Sequence, residues 1–172
     1  METKTRSKTL LVIAALLFAS LACSIGGLTI QDNKATLEVK IKDDQIMTLF
    51  ERVATQSGYD GGEILEYLDH VDLHEGYVSV YGSYPGSDGN AVSGSLDVSL
   101  GAQNGVLQAE ITSMNIPGTT VDEARIQEIN QRIAQEITRF VTESNGDVSF
   151  QNVEVHEDAL YLTVQVEMQN SN

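Results

Sequence analysis

The chain lacks tryptophan and has one cysteine, two prolines and ten basic residues in 172 positions. A single cysteine excludes an internal disulfide and a zinc site built from several cysteines. Positions 1–9 hold three of the ten basic and one of the 25 acidic residues. The remainder has seven basic and 24 acidic residues, a formal net charge of −17. Because such a body repels phosphate groups, we expect no nucleic-acid partner and no polybasic contact with anionic lipid.

Residues 1–22 have the composition of a signal peptide. Three basic residues precede the uncharged apolar run 10–22, and Cys23 follows directly. The segment 20–23 (SLAC) resembles the lipobox of bacterial lipoproteins at Ala22 and Cys23, but has Ser20 where that motif usually has Leu. The resemblance implies a lipidated Cys23 that anchors the protein in the cell membrane on its extracytoplasmic face. Ordinary secretion after cleavage at Ala22, or an uncleaved anchor over residues 10–30, also fits the sequence.

After the signal peptide we expect a membrane-proximal linker over residues 23–35 and a single α+β domain over 36–169. Alternating apolar residues predict strands at 36–41, 71–73, 77–82, 91–100, 106–116, 147–155 and 160–168. Residues 64–68 are ambiguous between helix and strand. Asn104-Gly105 predicts a hairpin turn. The alternation fails between Phe150 and Val153, which predicts a β-bulge near Asn152.

Two segments show helical spacing of apolar residues. Asp43 is a good N-cap for a short helix that ends near Gly58. Thr120 and Glu123 form a capping box for a long amphipathic helix over residues 121–143. The economical arrangement is a curved antiparallel sheet wrapped around the long helix, with the short helix closing one end. The pentapeptides 71–75 and 153–157 are similar, which indicates either a duplicated helix–hairpin unit or shared turn chemistry.

The order of elements resembles a known group of proteins. The stretch 105–111 (GVLQAEI), the turn 116–118 (IPG), the helix 126–140 and the hairpin 148–168 resemble the bacterial LmeA-like phospholipid-binding proteins, which belong with the tubular lipid-binding (TULIP) proteins. The resemblance implies that acyl chains are held between helix and sheet. The apolar positions proposed for this pocket are Leu96, Val98, Leu107, Ile111, Ile126, Ile129, Ile133, Ile137, Phe140 and Phe150, with Asn130 in the same stripe.

From the residues alone, the isoleucine stripe equally fits an ordinary closed core, and Asn130 fits a satisfied core amide. His70, Asp72 and His74 share one face of a strand, but that face is opposite the apolar one, so we expect a solvated surface and no metal site. Tyr77 and Tyr81 share a face that fits either cross-strand packing or a sugar or protein contact. Since no catalytic motif is present, we expect neither an enzyme nor a cofactor.

Two functions remain open at this point. The first is a membrane-anchored extracytoplasmic lipoprotein that binds or shuttles a lipid or another apolar ligand. The second is a structural or assembly lipoprotein that contacts envelope proteins through the acidic face of its sheet. The two differ in whether a cavity lies between helix and sheet.

Overall fold

The structure is a computed structural model that describes residues 25–31, 34–55, 67–85, 89–118, 120–145 and 147–167. The predicted signal peptide and Cys23 lie outside the described residues, as does most of the ambiguous segment 64–68. None of the described helices is long and apolar enough to cross a membrane.

The described residues form eight strands and two helices. The strands are β1 (Ile25–Gln31), β2 (Lys34–Ile41), β3 (Tyr67–His74), β4 (Tyr77–Pro85), β5 (Ala91–Gln103), β6 (Val106–Asn115), β7 (Val148–His156) and β8 (Ala159–Glu167). The helices are α1 (Asp43–Thr55) and α2 (Glu123–Asn145).

The strands form two separate antiparallel sheets of four strands each. Sheet A has the order β1-β2-β8-β7, and sheet B has the order β3-β4-β5-β6. The predicted arrangement, one curved sheet wrapped around a single long helix, is therefore wrong. Sheet B consists of consecutive hairpins, whereas sheet A joins the amino-terminal β2 to the carboxyl-terminal β8, from Lys34 opposite Glu167 to Ile41 opposite Leu160. Because β8 pairs with β2, the hairpin β7–β8 belongs to sheet A and not to sheet B, whose strands directly precede α2 in the chain.

The tight turns of sheet B contain glycines in the left-handed region. Asn104 and Gly105 have φ values of 53° and 79°, so both central residues of the β5–β6 turn are left-handed, as the hairpin prediction requires. Gly76 turns β3 into β4 with φ 87°. The register of β7 against β8 shifts between Phe150 and Asn152, which confirms the predicted bulge.

Strand β7 crosses the end of sheet B at which the β3–β4 and β5–β6 turns lie. The backbone N–H of Phe150 donates to the carbonyl of Gly105 at 2.9 Å, and the N–H of Gly76 donates to the carbonyl of Val155 at 2.9 Å. These two bonds lie near opposite ends of β7. They hold sheet A across the end of sheet B and bring the β3–β4 turn beside the β7–β8 turn.

The cap of each helix lies one or two residues away from the predicted cap. For α1 the side chain of Gln45 accepts from the backbone N–H of Lys42 at 3.1 Å, so Lys42 is the cap and Asp43 the first helical residue. For α2 the carboxylate of Asp122 accepts from the N–H of Arg125 at 2.8 Å, in place of the predicted Thr120 capping box. Asp122 is nearer the apolar stripe and is the stronger capping residue.

One hydrophobic cluster includes residues of both sheets and both helices. Its completely buried members are Ile41, Val78, Val98, Leu160, Leu162 and Val164. Helix α2 packs on β6, and α1 packs on α2 and β3. Each such side chain contributes about 1.5–3 kcal/mol relative to an exposed position, so this cluster stabilises the association of the two sheets.

The amino-terminal part of the body differs from the prediction. Residues 25–31 and 34–35 fall in the predicted linker, but the structure pairs them as β1 and the start of β2, from Ile25 opposite Val39 to Gln31 opposite Lys34. The run IGGLTIQ contains two adjacent glycines and directly continues the apolar leader, so it lacks a clear strand signal.

Candidate functional site

A polar cleft of about 510 Å³ opens on the face of sheet A that points away from the core. We call it the acidic cleft. Its walls come from β2, β7, β8 and the two adjoining turns, and its lining residues are Glu38, Glu75, Asn152, Glu154, His156, Glu157, Asp158, Tyr161 and Thr163. Five of these nine side chains are carboxylates. Alternation places them here, since Glu38 and Glu154 lie between apolar residues that face the core.

His156 lies between two carboxylates of the cleft. Its Nδ1 is 3.1 Å from Oε2 of Glu75 on the β3–β4 turn, and its Nε2 is 3.5 Å from Oε2 of Glu154. The hydrogen bond with Glu75, and then that with Glu154, raises the pKa of His156 above its ordinary value. Hydrogen bonds from Asn152 and then His156 lower the pKa of Glu154. These two contacts therefore favour the imidazolium form of His156.

Lys40 neutralises one further carboxylate at the rim of the cleft. Its ammonium donates to Asp158 at 2.5 Å and to the hydroxyl of Tyr161 at 2.8 Å. The Tyr161 hydroxyl donates in turn to Asp158 at 2.9 Å. The bond to Asp158, and then that to Tyr161, raises the pKa of Lys40, and the bond from Lys40 lowers the pKa of Asp158.

Two carboxylates of the cleft have no countercharge within the described part of the chain. Glu38 and Glu157 are exposed to solvent and form no ion pair with any described residue. Lys40 and His156 together offset at most two of the five negative charges. The cleft therefore carries a net negative potential that attracts cations and basic side chains.

Both ring nitrogens of His156 are engaged within the acidic cleft. Each already faces a carboxylate, so neither is directed at a nucleophile or at a substrate proton. No group of three or more acidic, histidine or cysteine side chains among the described residues has the geometry to hold a metal ion.

The predicted pocket residues come together, but in the packed interior. Leu96, Val98, Leu107, Ile133, Ile137 and Phe150 belong to the buried cluster, and Ile111, Ile129 and Phe140 pack against it half-buried. Ile126 is half-buried near the start of α2. The space where α1, α2, β5 and β8 meet has a volume of about 10 Å³. A ligand site for a drug-sized molecule has about 300–1,000 Å³, so an acyl chain enters here only if the helices move apart.

Asn130 has a backbone partner. It is 7% exposed, and its Oδ1 accepts from the N–H of Ile111 on β6 at 2.9 Å. The β5–β6 register shifts beside this bond, since Asp97 pairs with Ser113 and Val98 pairs with Ile111. The amide thus satisfies a backbone donor at an irregular point of sheet B.

The histidines of β3 stack on tyrosines of β4. His70 lies on Tyr81 with ring centroids 4.4 Å apart, and His74 lies on Tyr77 at 4.6 Å. Both pairs are directly opposite each other in the antiparallel register, so their arrangement is cross-strand packing. The nearest carboxylate to His70 is that of Asp69, 3.7 Å from Nδ1.

Sequence reasoning missed the acidic cleft as a site. Its residues come from positions 38, 75 and 152–163, and the pairing of β2 with β8 that joins them is not encoded locally. One signal was available, because Glu75 and Glu157 end the two similar pentapeptides and both turns meet at β7.

Comparison with known proteins gives no relative. No protein-family model, no curated protein and no solved structure matches this chain. The resemblance to tubular lipid-binding proteins and the lipoprotein signal therefore stay predictions from the sequence.

Proposed function

We propose that the protein is a membrane-anchored extracytoplasmic lipoprotein that binds a basic segment of another envelope protein in the acidic cleft. The observation that carries the proposal is a concave site of about 510 Å³ whose five carboxylates exceed the two nearby cationic groups. The site faces away from the core, so occupying it requires no rearrangement of the fold.

A basic peptide fits this site by charge and by shape. Exposed carboxylates on separate elements, such as Glu38 on β2 and Glu157 on the β7–β8 turn, are placed to meet successive Lys or Arg side chains. Arginine forms paired hydrogen bonds with carboxylates, which adds geometric selectivity to the attraction. Such contacts mainly set the association rate and the choice of partner.

The membrane anchor rests on the sequence. Cys23 follows an apolar run with three cations before it, and lipidation there holds the domain at the extracytoplasmic face. A tethered domain meets other membrane-bound proteins at high effective concentration, so a modest affinity in the cleft is sufficient.

Lipid binding remains a prediction from the resemblance. The described space between α1 and α2 has a volume of about 10 Å³, so lipid binding there depends on an opening of that space, whereas the acidic cleft is already open. We therefore favour protein contact over lipid transfer.

The proposal is tested by peptide binding to the full chain. The probe is a fluorescent peptide of alternating Arg and Gly, and fluorescence anisotropy measures its Kd at low and at physiological salt. We expect the double variant Glu38→Gln/Glu157→Gln to bind several-fold more weakly than the wild type, because it lacks both unpaired carboxylates.

The matched control is Glu110→Gln/Asp147→Asn, which removes the same charge from exposed positions that do not line the cleft. We expect this control to bind nearly as tightly as the wild type. Equal weakening in both double variants would show that the peptide responds only to net charge, and would refute a binding role for the cleft.

A further inference from the structure

Strand β1 has an apolar face that no described residue covers. Leu28 and Ile30 are 59% and 61% exposed. They pair with Leu37 and Ala35, which lie on the core-facing side of sheet A together with the buried Val39. The apolar inner face of sheet A therefore extends beyond the edge of the core, and its last strand is open to the surroundings.

This strand is also free of charge. Residues 25–31 (IGGLTIQ) contain no ionisable side chain in a body of formal net charge −17. Most of the surface is repelled by anionic lipid headgroups, and an uncharged apolar strand is not. Because β1 carries no negative charge, it can contact an anionic membrane surface without electrostatic repulsion.

The position of the predicted lipid anchor indicates what covers the apolar face of β1. Cys23 precedes Ile25 by two residues, which span at most about 7 Å in an extended chain. A lipidated Cys23 holds its acyl chains in the bilayer, so the first residue of β1 lies within about 7 Å of the lipid attachment point.

We propose that Leu28 and Ile30 lie in the interfacial layer of the bilayer that holds the Cys23 lipid, and that β1 thereby orients the domain on the membrane. This inference rests on the anchor of the proposed function. The depth is limited to the headgroup region, because the free edge of β1 carries backbone groups that need water or headgroups as partners. The acidic cleft lies on the opposite face of sheet A, so this orientation turns it away from the lipid.

The absence of tryptophan allows a direct test, because one introduced tryptophan is the only one in the chain. The full chain is produced in a bacterial host as Leu28→Trp, Ile30→Trp or Val106→Trp. Mass spectrometry establishes the acylation of Cys23. The protein is then placed in phosphatidylethanolamine–phosphatidylglycerol vesicles, with or without brominated acyl chains. Val106 is the matched control, since it is 57% exposed and begins β6.

We expect brominated lipid to quench Leu28→Trp and Ile30→Trp several-fold more than Val106→Trp, with emission shifted to shorter wavelength. Equal quenching at the three positions in an acylated protein would overturn the orientation and leave the anchor intact. An unacylated Cys23 in a chain that does not bind membranes would refute the anchor and the orientation together. Protection of Leu28→Trp and Ile30→Trp from aqueous iodide without lipid quenching would show that protein and not lipid covers β1, which also overturns the inference.

Discussion

The imidazole of His156 lies against the carboxylate of Glu75, with Nδ1 3.1 Å from Oε2, although the two residues are 81 positions apart. One belongs to the end of β7 and the other to the turn between β3 and β4. This contact joins the rims of the two sheets and forms one wall of the acidic cleft.

The stability of the protein is expected to depend on the protonation of His156. Its raised pKa means that the folded chain holds this proton more tightly than the unfolded chain. The resulting stabilisation is complete below the unfolded value near 6.5 and disappears as pH rises through the higher folded value. We expect urea unfolding to show a loss of wild-type stability as pH rises above about 6.5 that His156→Gln lacks.

The contact between His156 and Glu75 is also expected to appear in the NMR titration of His156. In an NMR titration, Glu75→Gln should lower the pKa of His156 more than Glu154→Gln does, because the bond with Glu75 is the larger cause of the shift. The pKa of Glu154 is lowered, so this carboxylate changes the stability only at acid pH, below the range in which His156 titrates. A wild-type value at or below 6.5 would contradict the described contact.

Asn130 is expected to stabilise the irregular pairing of β5 and β6. Asn130→Ala removes the acceptor for the N–H of Ile111 and leaves this part-buried donor unsatisfied, at a cost of about 1–3 kcal/mol in the free energy of unfolding. Gln131→Ala, at the exposed neighbouring position, is the control and should change stability by less than about 0.5 kcal/mol. Equal effects in urea unfolding would show that the amide has no such role.

Gly105 is expected to resist substitution. Its φ is +79°, and an added Cβ would lie 2.6 Å from Oγ of Ser149. Gly105→Ala should therefore cost about 1–3 kcal/mol, and adding Ser149→Ala should recover only the part due to the close contact. Gly101→Ala, on the preceding strand β5 with open space around it, should be nearly neutral. A neutral Gly105→Ala in thermal unfolding would contradict the turn geometry.

The interior is expected to behave as a packed core. Ile137 is 3% exposed and lines the small space between the helices, so Ile137→Ala should cost about 2–5 kcal/mol by creating a cavity. A lining residue of an open lipid site would cost much less. Native mass spectrometry of the same preparations provides the second readout. A co-purifying phospholipid mass together with a small loss of stability would revive the lipid-binding prediction.

Local features of the fold were predictable from the sequence. The turn at Asn104 and Gly105 and the bulge near Asn152 both follow from neighbouring residues, and the structure confirms both. The division into two sheets was not predictable, because β2 and β8 pair across more than a hundred residues and alternation indicates a buried face but not a partner.

The cleft was predictable only in its charge. An acidic sheet face follows from the excess of Asp and Glu and from their alternation with apolar residues. That Glu38, Glu75 and Glu157 enclose one concave site depends on the meeting of β7 with the turns of sheet B. Local patterns carry no information on that contact.

The binding role of the acidic cleft is tested most directly by photo-cross-linking in living cells. A photoreactive phenylalanine analogue replaces Thr163 inside the cleft or, as the control, the exposed Gln108 on β6. We predict a discrete protein adduct at position 163 alone, mapped to a peptide rich in Lys and Arg, and reduced in the Glu38→Gln/Glu157→Gln background. No adduct at position 163, the same adducts at both positions, or an adduct that persists without the two carboxylates would contradict the proposed function.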